Sequence, residues 1–174
     1  MDPRAGRFVV MGVSGVGKTG TGTRLAQALG GRFVEGDDLH SAEARAKMAG
    51  GTPLIDEDRW PWLDRVGAAL AEGEPPVVAA CSALRRRYRD RLRAQAPGLV
   101  FLHLVAGRDL IAERLLHRKG HYMPPSLLDS QLQTLEPLAP GSGWEVDVTR
   151  PPEAIVEDLV RRLTGRPAAA EEGR

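Results

Sequence analysis

Short apolar runs alternate with longer amphipathic stretches along most of the 174-residue chain. Five of the runs are almost continuously apolar, which is typical of strands buried on both faces of a parallel sheet. Between them, apolar residues recur at the spacing of a helix face. This alternation predicts an α/β fold, with a five-stranded parallel sheet and helices on both of its faces. The predicted strands are 7–11, 32–35, 76–81, 99–104 and 144–148, and the predicted helices are 18–29, 38–49, 57–71, 84–94, 109–118, 126–135 and 152–163.

Composition narrows the class of protein. Hydrophobic residues make up 42% of the chain and charged residues 27%, which fits one globular domain, predicted over residues 1–164. Residues 165–174 have little apolar surface to bury and are predicted to form a flexible tail. No apolar run approaches the roughly 18 residues that span a bilayer, so we expect no membrane partner. The net charge of +1 disfavours nucleic acid as a partner, and the single cysteine favours a cytoplasmic location.

A complete phosphate-binding motif follows the first predicted strand and opens the first predicted helix. Its glycines let consecutive backbone N–H groups surround a phosphate, and the helix adds its positive dipole end. Lys18 is expected to reach the β- and γ-phosphates of ATP, and Thr19 to ligate Mg²⁺. The ATP-binding residues predicted from the motif are Gly12, Val13, Ser14, Gly15, Val16, Gly17, Lys18 and Thr19.

The acid that completes such a site must come from an unusual place. The third strand ends without a carboxylate, whereas Glu35, Asp37 and Asp38 follow the second strand. Strand ends line the ligand crevice of a parallel sheet, so we expect Asp37 at the tip of the neighbouring strand, beside the terminal phosphate. There it would accept a proton from an attacking hydroxyl, contribute to the Mg²⁺ site, or both. The alternative for these acids is a helix cap with acidic first-turn residues, which we favour for Asp38.

Further segments occur in an order that is specific to one family. The chain resembles gluconokinases of the small P-loop type, which are related to shikimate kinases and nucleoside monophosphate kinases. One departure is Ala44, where relatives tend to carry asparagine. The segments that carry the resemblance are the phosphate-binding motif, Gly36-Asp37-Asp38-Leu39-His40, Lys47-Met48, 56–63, Cys81-Ser82-Ala83-Leu84, Tyr88-Arg89-Asp90, Lys119-Gly120-His121-Tyr122, Ser130-Gln131 and 134–137.

The resemblance implies ATP-dependent phosphorylation of D-gluconate at its 6-hydroxyl. It also implies a three-layer P-loop kinase fold with a mobile lid, and a homodimer. Within the segments that carry the resemblance, it implies that Ser82 and His121 contact the sugar.

The lid is predicted at about 114–126, where a basic helix ends in a Gly/Pro-rich loop. Such a segment keeps water from the transferring phosphoryl group. Arg118 is the predicted cation that meets that group, while Arg114 and Lys119 either bind phosphate or complement the helix dipole. His117 and His121 are four residues apart, but we predict no metal site there, because a third ligand is missing.

An anionic, hydroxyl-rich substrate needs cations and hydrogen-bonding groups. Arg59, Arg85 and Arg89 are the candidates for its carboxylate, because arginine can bind a carboxylate through two bonds. His40 either contacts a sugar hydroxyl or is structural. Arg150, in the loop after the last strand, is predicted to stack on adenine, with Arg114 nearby. Trp62 and Cys81 are predicted to be buried packing residues.

Two alternatives stay open from the sequence. One is a kinase for another small hydroxy acid such as shikimate. The other is a nucleotide-binding module without transfer activity, although the predicted lid and the predicted acid favour transfer.

Overall fold

A computed structural model of the protein describes residues 6–118 and 124–165. Within these residues no helix is long and apolar enough to cross a membrane. The strands are β1 (Arg7–Met11), β2 (Arg32–Glu35), β3 (Val77–Ala80), β4 (Val100–Val105) and β5 (Gly143–Asp147). The helices are α1 (Lys18–Leu29), α2 (Ala42–Ala49), α3 (Asp56–Ala71), α4 (Arg86–Gln95), α5 (Arg108–Leu116), α6 (Pro125–Thr134) and α7 (Pro152–Thr164).

The strands form one parallel sheet in the order β2-β3-β1-β4-β5, which confirms the predicted fold class. β1 is central, and its Val10 pairs with Ala80 on one side and Leu102 on the other. The loop after β1 therefore lies in the middle of the carboxyl edge of the sheet, where parallel sheets bind ligands. β3 lies between β1 and β2, so the expectation that the acid-bearing strand is the neighbour of β1 is wrong.

Alternate residues of β1 point into two separate cores, because successive side chains of a strand face opposite sides of the sheet. Phe8 and Val10 pack with residues of α1, α5, α6 and α7. Val9 and Met11 pack with residues of α3 and α4. Both faces of the sheet are covered, which explains the apolar sequences of the inner strands β1, β3 and β4. The edge strands β2 and β5 keep exposed polar positions.

The region after β2 differs from the predicted helix 38–49. A short 3₁₀ turn occupies Gly36–Leu39, and α2 begins only at Ala42. Ser41 caps α2 by accepting a hydrogen bond from the Ala44 N–H at 3.1 Å. Glu35 caps the 3₁₀ turn, and Asp38 is an acid in the first turn of that short helix, as the alternative reading favours for it. The start of α4 also differs from the predicted helix 84–94. The helix begins after Arg85, whose backbone is extended.

The two glycines in the first turns of α1 differ in their surroundings. A Cβ on Gly22 would lie 2.7 Å from the ring of Phe33, so this glycine allows β2 to pack closely on the helix. A Cβ on Gly20 would meet only the end of the Arg24 side chain, at 3.0 Å. Close packing thus explains Gly22, whereas nothing in the structure explains Gly20.

Candidate active site

The loop between β1 and α1 forms an anion-binding nest at the central strand of the sheet. Gly15 and Gly17 adopt positive φ angles of 91° and 90°, which L-residues with a side chain rarely adopt. Among the described residues no side chain caps α1, and its first turn contains no acid. The first N–H groups of α1 are therefore oriented toward a phosphate, together with the positive end of the helix dipole.

Lys18 lies across this loop, where its Nζ donates a hydrogen bond to the Val13 carbonyl at 3.0 Å. Burial lowers the pKa of Lys18 from its usual value, and the negative charges of Asp37 and Glu35 act in the opposite direction. The positive charge of Arg118 lowers the pKa further. Two acids and a second cation thus lie within electrostatic range of the phosphate-binding lysine.

Thr19 and Glu35 connect the first turn of α1 with the end of β2. The Thr19 hydroxyl donates to Glu35 Oε2 at 2.5 Å, and Glu35 Oε1 accepts the N–H of Asp37 at 3.3 Å. β1, which leads into the loop before Thr19, and β2, which ends at Glu35, are separated by β3. The turn after β2 nevertheless lies over the end of β3, where Gly36 packs on the backbone of Ala80 and Cys81. The lack of a side chain at Gly36 allows this approach, because a Cβ there would overlap the Ala80 carbonyl. Sequence reasoning treated Glu35 only as one of three strand-end acids and missed its bond to Thr19.

Asp37 itself is exposed in the 3₁₀ turn, on the same side as the phosphate-binding loop. Its charge acts on both Lys18 and His40. The structure therefore places Asp37 within electrostatic range of Lys18, although β2, which precedes Asp37, is not adjacent to β1 in the sheet.

Three of the predicted arginines lie on α5, just after α5, and in the loop after β5. Arg118 is exposed after the end of α5. Arg114 donates to the Val148 carbonyl at 2.7 Å and so joins α5 to the loop after β5. Arg150, in that loop, is exposed and forms an ion pair with Asp158 at 3.5 Å. Lys119 and His121 lie outside the described residues, as does part of the predicted lid.

His40 stacks on Trp62, with ring centroids 4.2 Å apart and planes 15° from parallel. Trp62 is buried and donates its indole N–H to the Gly36 carbonyl at 2.7 Å, so it holds the turn that carries Asp37. His40 Nδ1 is buried and has no hydrogen-bond partner within the described residues. Burial lowers the pKa of His40, so the ring is neutral and can accept or donate a hydrogen bond to a hydroxyl.

A basic and aromatic neighbourhood continues from His40 along α3 and the start of α4. The guanidinium of Arg59 lies 5.5 Å from the centre of the Tyr88 ring, and Tyr88 donates to Asp56 at 2.6 Å. Burial raises the pKa of Tyr88, while the charges of Arg59 and Arg85 oppose that shift. Arg85 is half-buried, and its buried Nε–H has no acceptor within the described residues. A buried donor without an acceptor favours a ligand contact at this point.

Arg89 corrects one sequence prediction, because it cannot bind the substrate carboxylate. Its side chain is 1% exposed and donates four hydrogen bonds to backbone carbonyls. These bonds join the start of α4 to the segment after α6, and they use both terminal nitrogens of the guanidinium. The acceptors are the carbonyls of Ala83, Leu84, Glu136 and Pro137, at 2.8, 3.1, 3.0 and 3.0 Å. Arg89 is therefore structural.

Ser82 follows β3 and is half-buried, and its carbonyl accepts the Gly12 N–H at 3.3 Å. The preceding residue, Cys81, is buried, and burial raises the pKa of its thiol to about 12. Such a thiol is not ionised near neutrality, which excludes a nucleophilic role. Ser82 thus contacts the start of the phosphate-binding loop through its backbone.

Gln131 is a site residue that sequence reasoning missed. Its Oε1 accepts the Ser14 N–H at 2.8 Å, and its Nε2 donates to Ser14 Oγ at 3.2 Å. The two residues are 117 positions apart, and no local pattern indicates such a contact. The segment Ser130-Gln131 contributed to the family resemblance, but no role followed from it.

Comparisons with known proteins agree with this geometry. Residues 8–138 match the family described as AAA domain. The chain is 44% identical over 163 residues to a gluconokinase from Gluconobacter oxydans, with 90% of each protein covered. It is also similar to the crystal structure of a gluconokinase from Sinorhizobium meliloti, with a TM-score of 0.84, 49% identity and coverage of 93% of this chain and 95% of that one.

A more distant likeness concerns the fold alone. The crystal structure of a shikimate kinase from Bacteroides thetaiotaomicron has a TM-score of 0.67 at 20% identity, and the match covers 92% of this chain and 99% of that chain.

Proposed function

The chain belongs to the gluconokinase family, and on that premise we propose that it transfers the γ-phosphoryl group of ATP to the 6-hydroxyl of D-gluconate, giving 6-phospho-D-gluconate and ADP. The observation that carries this proposal is the position of Asp37, whose charge acts on both Lys18 and His40. An acid between a phosphate-binding lysine and a pocket of polar and basic groups is placed for transfer to an alcohol. The shikimate kinase likeness extends to the fold only, so it does not favour that substrate.

The nucleotide's phosphates would be held by the nest from Gly12 to Thr19. The N–H groups at the start of α1 and the Lys18 ammonium supply positive charge around them. On the base side, Arg114 fixes the loop after β5 through Val148, and Arg150 is exposed in that loop. We assign Arg150 to adenine and Arg114 to positioning the loop or contacting a phosphate.

The residues present fit a magnesium site. Mg²⁺ in kinases is usually bound by one or two protein oxygens together with phosphates and water, rather than by a full protein cage. The Thr19 hydroxyl, with Glu35 behind it and Asp37 beside it, supplies such oxygens. Bound Mg²⁺ would neutralise charge on the β- and γ-phosphates.

In the transfer step, the 6-hydroxyl oxygen of gluconate forms a bond to the γ-phosphorus, and the bond to the β–γ bridging oxygen breaks. Asp37 accepts the hydroxyl proton, and ADP leaves with the bridging oxygen. Lys18 and Arg118 oppose the negative charge that spreads over the transferring group. Arg118 precedes the undescribed residues 119–123, within the segment that we propose as the lid, about 114–126.

The sugar acid would bind between α3 and the start of α4. Arg85, with its unpartnered Nε–H, and Arg59, beside Tyr88, are our candidates for the carboxylate. His40 and the Ser82 side chain are candidates for hydroxyl contacts, as is His121, which lies outside the described residues. This assignment leaves out Arg89, whose terminal nitrogens already bind backbone carbonyls.

The larger organisation also stays a prediction. We propose a single kinase domain over residues 1–164 that works as a homodimer in the cytoplasm.

A coupled assay for ADP release tests the function directly. We expect rapid release with ATP, Mg²⁺ and D-gluconate, and only slow release without an acceptor. Shikimate and other small hydroxy acids serve as competing acceptors, ranked by kcat/KM. Normal ATP binding without gluconate-dependent ADP release would contradict the proposal and favour the nucleotide-binding module.

A further inference from the structure

Gln131 on α6 makes two hydrogen bonds to Ser14, in the phosphate-binding loop. We propose that Gln131 is a positioning residue that fixes the Ser14 hydroxyl as a hydrogen-bond donor toward the terminal phosphates of ATP. The inference rests on the ATP-binding part of the proposed function and adds a residue to that site.

The direction of each bond follows from the chemistry of the groups. The Ser14 N–H can only donate, so the Gln131 atom that faces it at 2.8 Å must be the carbonyl oxygen. The other end of the amide is then the NH₂ group, which can only donate. Ser14 Oγ, 3.2 Å away, must therefore accept, and its own hydrogen is left to donate elsewhere.

Within residues 6–118 and 124–165 no protein atom accepts that hydrogen. Ser14 lies inside the loop whose neighbouring backbone and Lys18 ammonium surround the phosphate position. With one of its lone pairs accepting from the amide, the hydroxyl still has its hydrogen to donate, and a phosphate oxygen is the acceptor that this loop is built to receive.

α6 is held in place by contacts besides those between Gln131 and Ser14, so the amide has a fixed position from which it orients the hydroxyl. Leu128 is fully buried in the core below α6. Asp129 accepts two hydrogen bonds from Arg108 at 2.6 and 3.0 Å, which ties α6 to the start of α5. Because these contacts hold the helix, the Gln131 amide is preorganised before nucleotide binds.

A double-mutant cycle tests the proposal through the affinity for a non-hydrolysable ATP analogue, measured by calorimetry without gluconate. Gln131→Glu keeps an acceptor for the Ser14 N–H but replaces the donor by a second acceptor, so the hydroxyl turns toward residue 131 and away from the phosphate. We expect Gln131→Glu to weaken binding at least about fivefold more in the native chain than in the Ser14→Ala background. The repulsion between the new charge and ATP is common to both backgrounds and cancels in the cycle.

Gln133→Glu, at an exposed position of the same helix, is the matched control and should leave affinity unchanged. Equal effects of Gln131→Glu in the two backgrounds, within about twofold, would overturn the proposal, since a merely structural role of Gln131 does not depend on the hydroxyl. If Gln131→Glu fails to fold, Gln131→Met provides the same cycle without the charge. If the native chain binds the analogue but does not phosphorylate gluconate, the proposed substrate is wrong. The double-mutant cycle can still be interpreted in that case, because it measures only the affinity for the ATP analogue.

Discussion

The Thr19 hydroxyl donates a hydrogen bond of 2.5 Å to the Glu35 carboxylate and so joins the first turn of α1 to the end of β2. A hydroxyl that donates to a carboxylate keeps its lone pairs for a cation. The pair therefore orients Thr19 for Mg²⁺ and supplies a negative charge behind it. Support of this kind from a second residue is usual where a ligating group must hold one orientation.

Glu35→Gln should raise the Mg²⁺ concentration needed for half-maximal turnover and lower kcat about tenfold, because it removes the charge behind Thr19. The measurement is a magnesium titration of ADP release at saturating ATP and gluconate. Asp38→Asn, an exposed acid of the following turn, is the matched control for the loss of one negative charge. An unchanged magnesium titration of the Glu35 variant would exclude this role.

Asp37→Asn should retain ATP affinity and lose at least about a hundredfold in kcat, because the amide cannot accept the hydroxyl proton. Single-turnover rates and calorimetric binding of ATP separate the two effects. Turnover within a few fold of the native protein would show that Asp37 is not the base. The Asp38→Asn control should stay close to native turnover.

Substitution of Arg85 should affect substrate binding, whereas substitution of Arg89, four residues later, should affect the stability of the fold. Arg85→Met should raise the KM for gluconate at least about tenfold and leave the free energy of unfolding almost unchanged, because the buried Nε–H of Arg85 has no acceptor within the described residues and we assign it to the sugar acid. Arg89→Met should lower the free energy of unfolding by about 3 kcal/mol, because buried carbonyls lose their donors. Steady-state kinetics and urea unfolding check the pair. Our assignment is wrong if Arg89→Met folds stably and only the KM for gluconate rises.

Gly20→Ala and Gly22→Ala should change stability in opposite directions. Alanine at 20 should stabilise the protein by about 0.5–1 kcal/mol, since it favours the helix and meets only a flexible side-chain end. Alanine at 22 should destabilise it by about 1–3 kcal/mol, since the new methyl group would overlap the Phe33 ring. Urea unfolding of both variants gives the comparison. Stabilisation by Gly22→Ala would contradict the close packing of α1 on β2.

The predicted elements and the P-loop residues follow from local signals, which is why the sequence was sufficient for them. The strands agree within about one residue, because each is an apolar run with clear ends. The segment from Gly36 to Ala49 was harder, because helix-like composition does not distinguish one helix from a 3₁₀ turn followed by a capped helix. The Ser41 cap decides between them, and a serine is also compatible with a helix interior.

The arginines of α4 show the limit of spacing arguments. Positions 85 and 89 share a face in an ideal helix, and both arginines are predicted from the sequence as candidates for the substrate carboxylate. The structure instead leaves Arg85 outside the helix and buries Arg89 against the segment after α6. The carbonyls that bind Arg89 come partly from residues 47 and 48 positions away, so no local pattern could assign them.

The sequence by itself determined the fold class, the phosphate-binding loop, the family and the importance of an acid after β2, because each depends on neighbouring residues or on motifs in order. Only the tertiary structure decided which acid meets Thr19, that Gln131 holds Ser14, and that Arg89 is structural. These contacts join residues far apart in the chain. They arise from the order of the strands and the packing of helices on the sheet, and the free energy of that packing is a property of the whole fold.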